Sequence, residues 1–240
     1  TIELSPFQVD ASRDVGYRSS STLAGSRLNT NLADVAGAIS IINEEMMRDL
    51  AAGDVGAILS NAVSTEVGGY LGNVSDGTGE QQNARGQPHL QQRVRGLAEA
   101  TNTRNFFLTS IPFDSYNTER VTVSRGANSL LFGIGSAGGI VDNSLAMASR
   151  ANNSREVSLQ LGQWGHYRAS TNINQVIVPG RLGLRFALLK ADRQYPQRPA
   201  YEDSERGYVA LNALLRRGGE GVLGDTTLLA NFERGRIVAE

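Results

Sequence analysis

From residue 151 onward, apolar and polar residues alternate with a period of two. Val157, Leu159 and Leu161 share one face of REVSLQLGQ; Tyr167, Ala169, Thr171 and Ile173 share one face of HYRASTNINQ. In RLGLRFALLK the series is Leu182, Leu184, Phe186 and Leu188, with Arg181, Arg185 and Lys190 near or on the other face. YVALNALLRR and TTLLANFERG continue the pattern less cleanly. Runs of about ten residues with one apolar side predict roughly five antiparallel strands. Between them GQWG and VPGR are tight, RQYPQRPAYEDSE is long and charged, and RRGGEGVLGD is intermediate. A soluble sheet and a membrane barrel share this alternation, so periodicity alone leaves both open.

Residues 30–150 have a different texture. AISIIN (38–43) predicts a buried strand. In EEMMRDLAA the glutamates stand where a helix dipole favours acids and Arg48 where it favours a base. Gly53 is placed to stop that helix, and Asp54 to cap a second in DVGAILSNA. Residues 68–87 are rich in glycine and polar groups and predict a loop. RVRG follows at 93–96, then a strand NFFLTSI at 105–111, a turn at Pro112, and a strand in ERVTVSRG at 119–126. ANSLLFG offers one or two helical turns, and IVDNSLAMA returns to extended structure. Residues 1–29 show neither period and predict a flexible arm, within which PFQVDAS forms a short extended apolar patch.

Composition narrows the chemistry. There is no cysteine, so disulfides and thiolate metal sites are excluded; His89 and His166 are the only histidines and lie far apart. No metal site, cofactor or catalytic triad is expected from such residues. A net charge of −1 supplies no field to recruit nucleic acid. No apolar run approaches the ~20 residues of a membrane helix.

Residues 132–143, FGIGSAGGIVDN, space Gly133, Gly135 and Gly138 as GxGxxG, followed by Gly139. A dinucleotide cradle needs a strand directly before the first glycine and a helix directly after the last. Here ANSLLF separates the preceding strand from the glycines, and β-branched IVDN follows them. The spacing therefore points to a walled-in turn where side chains would collide, and an NAD-type oxidoreductase is disfavoured.

Taken together, RVRG, NFFLTSIPFDSY and TERVTVSRGANSLLFGIGSAGGIVDN resemble the plug domain of TonB-dependent outer-membrane receptors. The residues that fit are Arg93, Arg95 and Gly96 of the first motif, then Glu119, Arg120, Val121, Val123, Arg125, Gly126, Ser129, Leu131, Phe132, Gly133, Gly138, Gly139, Ile140, Val141 and Asn143. Ala127 stands where proline is usual, Asp142 where an apolar residue or Asn is common, and IPFDSY replaces a D-G turn. PFQVDAS (Pro6, Phe7, Gln8, Val9, Asp10, Ala11) resembles the short TonB box that precedes such plugs.

The resemblance implies an α+β plug, a small mixed sheet with short helices over 30–150. Strands of an incomplete transmembrane β-barrel of about 22 strands follow over 151–240. It also implies a chain that is part of a longer protein in the Gram-negative outer membrane, its arm in the periplasm. A TonB-type energy-coupling protein, outer-membrane lipid and a small-molecule or metal-chelate solute are the partners it implies. The solute would be of siderophore-iron, cobalamin or saccharide type, met by plug apices such as Tyr70, Asn73, Phe113, Asp114 and Tyr116. A polar exterior inside a barrel would suit Arg93, Arg95, Arg104, Arg120 and Arg125. An upward first strand would place GQWGH and RQYPQRPAYEDSE outside and VPGR in the periplasm. The alternative is a soluble periplasmic binding or adaptor module that reuses the plug fold.

Overall fold

The computed structural model describes residues 14–24, 29–68, 92–96, 99–126, 136–196, 198–218 and 224–239. It divides into two compact units, one up to Leu145 and one from Ala146 onward.

The first unit begins with β1 (Ser21–Thr22) paired antiparallel to β2 (Thr30–Asn31). β3 (Ala38–Asn43) then leads into α1 (Glu44–Asp49), whose first turn is capped by the Asn43 side chain accepting from Met46 N at 3.0 Å. Helix α1 ends before Gly53. Ala51 takes the left-handed conformation (φ 52°), and Ala51 and Ala52 N–H groups bond Arg48 and Met47 carbonyls. The stop is thus an αL closure made without glycine. Asp54 caps α2 (Val55–Leu59) as its sequence position predicts, accepting from Ala57 N at 3.0 Å.

β4 (Thr65–Val67) pairs with β5 (Gln92–Val94). β6 (Thr101–Arg104), β7 (Phe107–Leu108), β8 (Thr118–Arg125) and β9 (Gly139–Leu145) join β3 in one sheet of order β3-β8-β9-β6-β7. Only β6 and β9 are parallel, so the sheet is mixed. Ile42, Val121, Val123 and Val141 of this sheet bury one face against Met47, Ile58 and Leu59 of the two helices. That apolar seam is the core of the unit. The single strand expected at 105–111 is instead a hairpin. Asn105 (φ 49°) and Phe106 (φ 64°) both lie in the left-handed region and turn β6 back into β7, the dihedral signature of a type I′ connection.

The second unit is an antiparallel meander. β10 (Ser154–Leu161), β11 (Tyr167–Val178), β12 (Leu182–Gln194), β13 (Tyr201–Arg216) and β14 (Thr226–Ala239) pair in chain order, leaving β10 and β14 as edges among the described residues. The strands run longer than the apolar pattern suggests, and most of RQYPQRPAYEDSE becomes ladder. Gln194 pairs with Tyr201, and Lys190 bridges Asp203 at 2.7 Å and Glu205 at 2.6 Å across β12 and β13. Complementary charges let the sheet continue past its apolar stretch, and the connection shrinks to residues 195–200.

Candidate functional site

The two faces of the meander are the feature that bears on function. Registers place Leu159 opposite Ala169, Ile173 opposite Phe186, Phe186 opposite Val209 and Val209 opposite Phe232, so these side chains share one face. In a soluble sheet that face would be packed. Here it is open: Val157 is 83% exposed, Leu161 77% and Phe232 66%. The other face carries Glu156, Ser158, Arg168, Asn174, Ser204 and Tyr208, and of these Arg168, Asn174, Ser204 and Tyr208 are buried. The buried face also holds Ala187, Leu189 and Ala210, but burying charged and amide groups there while leaving the opposite apolar face open is the reverse of a water-soluble sheet, and single exposed leucines would not have this meaning.

The buried polar face is organised around residues 146–153. The Asn174 amide accepts from Ser149 N (2.8 Å) and donates to the carbonyls of Ser149 (3.1 Å) and Asn152 (2.6 Å). Asn212 donates to Ala148 O (2.9 Å), Arg185 to Met147 O (3.3 Å) and Tyr208 to Ala146 O (3.1 Å). A Cβ at Gly183 would collide with the Ser149 carbonyl, so glycine there lets the backbone of this segment lie flat on the sheet. Side-chain amides, a guanidinium and a phenol thus satisfy a peptide segment that lies outside the strands.

In the first unit, the sequence-predicted motif residues divide by role. Arg93 pairs with Glu66 at 3.0 Å, and Arg95 (φ 57°) and Gly96 (φ 66°) make the exposed turn after β5. Arg125 donates to Val63 O through Nε and Nη2 and to Ser40 Oγ at 2.9 Å; burial, then the charge of Arg95, lowers its pKa. Gly126 (φ 95°) ends β8. Glu119 is half-buried on β8. Gly138 is buried, and Gly139 (φ 111°) sits where a Cβ would collide with Ser124 O, so glycine is required at 139; Gly135 lies outside the described residues. Asn143 is buried and accepts from Thr118 Oγ1 at 2.8 Å. Gly133, Tyr70, Asn73 and residues 6–11 lie outside the described residues.

Two expectations are corrected. Arg120 is not on a polar exterior. Its guanidinium is buried, ion-paired to Asp14 at 3.2 Å and bonded to Ser21 O at 3.1 Å. That pairing also orders part of the segment expected to be a flexible arm, since residues 14–24 pack on the sheet. Nor do Phe113, Asp114 and Tyr116 form a surface. Phe113 belongs to the apolar core, Asp114 caps the turn at Ser115–Asn117 by accepting from Tyr116 N (3.0 Å), and Tyr116 is buried. Capping and core packing explain an F-D-S-Y run as well as ligand contact does.

Phe107, Leu108 and Ile111 are among this unit's exposed apolar groups, beside an open groove bounded by Glu99, Asn102, Thr109 and Ser110. Sequence reasoning missed them because it read 105–111 as one strand; the N-F pair at 105–106 was the available sign of a turn. Asp142 holds this hairpin, its Oδ1 accepting from Thr103 Oγ1 (2.7 Å) and Phe106 N (2.6 Å) and its Oδ2 from Ser144 Oγ (3.2 Å). Burial raises the Asp142 pKa to about 6, against the opposing pull of those bonds. Among the described residues no cluster of potential metal ligands occurs.

Residues 31–140 match the family model of the TonB-dependent Receptor Plug Domain. Over those residues the chain is similar to the plug of TonB-dependent receptors. No curated protein matches the chain by sequence. Among solved structures, the pyoverdine outer-membrane receptor FpvA of Pseudomonas aeruginosa PAO1, bound to pyoverdine, aligns with a TM-score of 0.75 at 15% identity, covering 97% of this chain and 32% of the receptor. The alcaligin outer-membrane receptor FauA of Bordetella pertussis aligns at 0.71 and 18%, covering 92% of this chain and 36% of the receptor. The ferric-catecholate import receptor Fiu of E. coli K12 aligns at 0.67 and 15%, covering 87% and 28%. The chain thus spans about a third of the length of these receptors. Its fold is a plug followed by antiparallel strands of the receptor-barrel kind, and in β10–β14 that barrel is not closed.

Proposed function

We propose that this chain supplies the plug and first wall strands of an outer-membrane transporter that takes up a scarce solute, with the plug gating the barrel lumen. The observation that supports it is the inverted meander. A sheet that buries Arg168 and Asn174 while exposing Val157, Leu161 and Phe232 is suited to lipid on one side and a polar lumen on the other. The plug sequence supplies the second half of the reading, because a wide barrel needs a gate.

In this reading the arm, with Pro6, Phe7, Gln8, Val9, Asp10 and Ala11, is the docking strand for a periplasmic energy-coupling protein, bound by main-chain pairing to a sheet edge. The solute is of the siderophore-iron, cobalamin or saccharide type. Its plug contacts are assigned to Phe107, Leu108 and Ile111 and the groove beside them. Arg93, Arg95, Gly96, Glu119, Arg125, Gly126, Gly138, Gly139 and Asn143 hold the plug's shape and touch no solute.

The test is uptake by cells producing the complete gene product. Accumulation of one of these solutes should require the protein and collapse when the proton-motive force is dissipated, and the protein should fractionate with the outer membrane. Recovery of a folded, detergent-free protein from the periplasm would instead select the soluble adaptor.

A further inference from the structure

At one end of the meander four arginines meet around the turn at 179–181. Arg181 belongs to that turn, its N–H donating to Val178 O at 2.9 Å and its carbonyl accepting from Leu214 N at 2.7 Å. Arg216 ends β13 and Arg217 follows it. A Cβ on Gly180 (φ 69°) would stand 3.7 Å from Arg217 Nη2, so this guanidinium lies over the turn. Arg150 is joined to the same turn through its carbonyl, which accepts from Gly180 N at 3.0 Å. Arg181, Arg216 and Arg217 are exposed, whereas Arg150 is half-buried and its Nη1 is buried without a hydrogen-bond partner.

Among the described residues none of the four has a carboxylate within ion-pair distance. Asp225, on the connection that follows β13, accepts from Gly218 N at 2.7 Å, and Glu220 of that connection lies outside the described residues. The other end of the sheet is arranged differently. There Lys190 donates to Asp203 and Glu205, Arg236 stands opposite Glu205, and Arg193 opposite Glu202. Cations at that end are matched by acids, while those around the turn repel one another with little to neutralise them.

The turn also closes the apolar face. Val178 and Leu182, opposite each other, end that face on β11 and β12, and Leu215 beside Arg216 is exposed. Guanidinium groups immediately past an apolar band stand at the depth of lipid headgroups, where their planar fork of donors fits two oxygens of a phosphate.

We propose that this cluster binds the phosphodiester of an anionic membrane phospholipid, seated among Arg181, Arg216 and Arg217 with its acyl chains along Val178 and Leu182. Arg150 adds positive charge at the turn. The bound lipid pins this end of the strands to the headgroup layer and so fixes their depth. The inference rests on the reading of the apolar face as lipid-facing, and adds to it a lipid class and a site.

Native mass spectrometry of the complete gene product, purified in detergent and given equal amounts of phosphatidylglycerol and phosphatidylcholine, tests this. Bound phosphatidylglycerol should exceed bound phosphatidylcholine at least about tenfold, since each arginine near a headgroup surface is worth roughly fivefold. Arg181→Gln/Arg216→Gln/Arg217→Gln should bring the ratio to within about twofold of unity. Arg217→Gln alone should lower it about three- to fivefold, and serves if the triple variant does not fold. Arg234→Gln/Arg236→Gln, toward the other end of β14, should leave it unchanged. A parent ratio near unity, or an equal loss in that last variant, overturns the site. Displacement of the lipid by glycerophosphoglycerol, the headgroup without its chains, would assign the cluster to a soluble phosphate and overturn the lipid. A protein that inserts into phospholipid vesicles yet shows no preference sinks the site alone; one that stays soluble without detergent sinks the membrane reading with it.

Discussion

Phe186 stands at the middle of the exposed apolar face. Leu184 and Leu188 flank it along β12, and Ile173 and Val209 oppose it on β11 and β13. Phe186→Arg places a permanent charge among these groups. If the face meets hydrocarbon, the substitution costs about 2–4 kcal/mol, as for charges near a bilayer midplane in transmembrane barrels. That is roughly a 30- to 1,000-fold shift in the folding equilibrium. Val178 ends β11 beside the turn at 179–181 and lies on the same face, opposite Leu182. There Val178→Arg should cost only about 0–1 kcal/mol, because the charge can reach the interface. In water both substitutions, at half-exposed positions, would stay within about 0.5 kcal/mol of the parent. The assay is a guanidinium titration of the protein folded into phospholipid vesicles. It is followed by emission from Trp164, the one tryptophan among these 240 residues, in the turn between β10 and β11. A Phe186→Arg protein as stable as its parent, or a Val178→Arg protein equally damaged, refutes the lipid-facing assignment.

Gly139→Ala should destabilise the plug by at least about 2 kcal/mol, because it combines a left-handed backbone with a collision against Ser124 O, and thermal melting of the plug reads it directly. Asp142 makes a pH signature. Its folded pKa, about 6, lies above the ordinary 3.8, so the folded state holds the proton more tightly and stability falls as pH rises from about 4 to 6. The total is of the order of 3 kcal/mol at 1.36 kcal/mol per pK unit; it should be missing from the pH–stability curve of Asp142→Asn and so appear in the difference between parent and variant, and parallel curves would contradict the assignment. Asn174→Ala should free residues 149–152 for proteolysis at a cost of about 1–3 kcal/mol, since the Ser149 N–H and the Ser149 and Asn152 carbonyls lose their partner; an unchanged cleavage rate would show the segment to be held elsewhere.

Local signals in the sequence determined much of this protein. Asp54 before a short apolar run was sufficient to place α2, because an N-cap acts over three residues. Period-two alternation located the meander, because each strand's side chains must point to opposite faces whatever surrounds them. The glycine at 139 and the long ordered motif around it marked the plug. Three things needed the tertiary structure. Which face of the meander is buried depends on what lies against it, and alternation reads the same for oil inside as for oil outside. The partner of Arg120 is Asp14, 106 residues away in the chain, a pairing that no local pattern encodes. The roles of Phe113, Asp114 and Tyr116 turned on burial, and a polar or aromatic run in a loop carries no mark of whether it packs inward or faces a solute. Local propensity acts through neighbours in sequence, whereas charge pairing and burial act through neighbours in space, and only folding decides who those are.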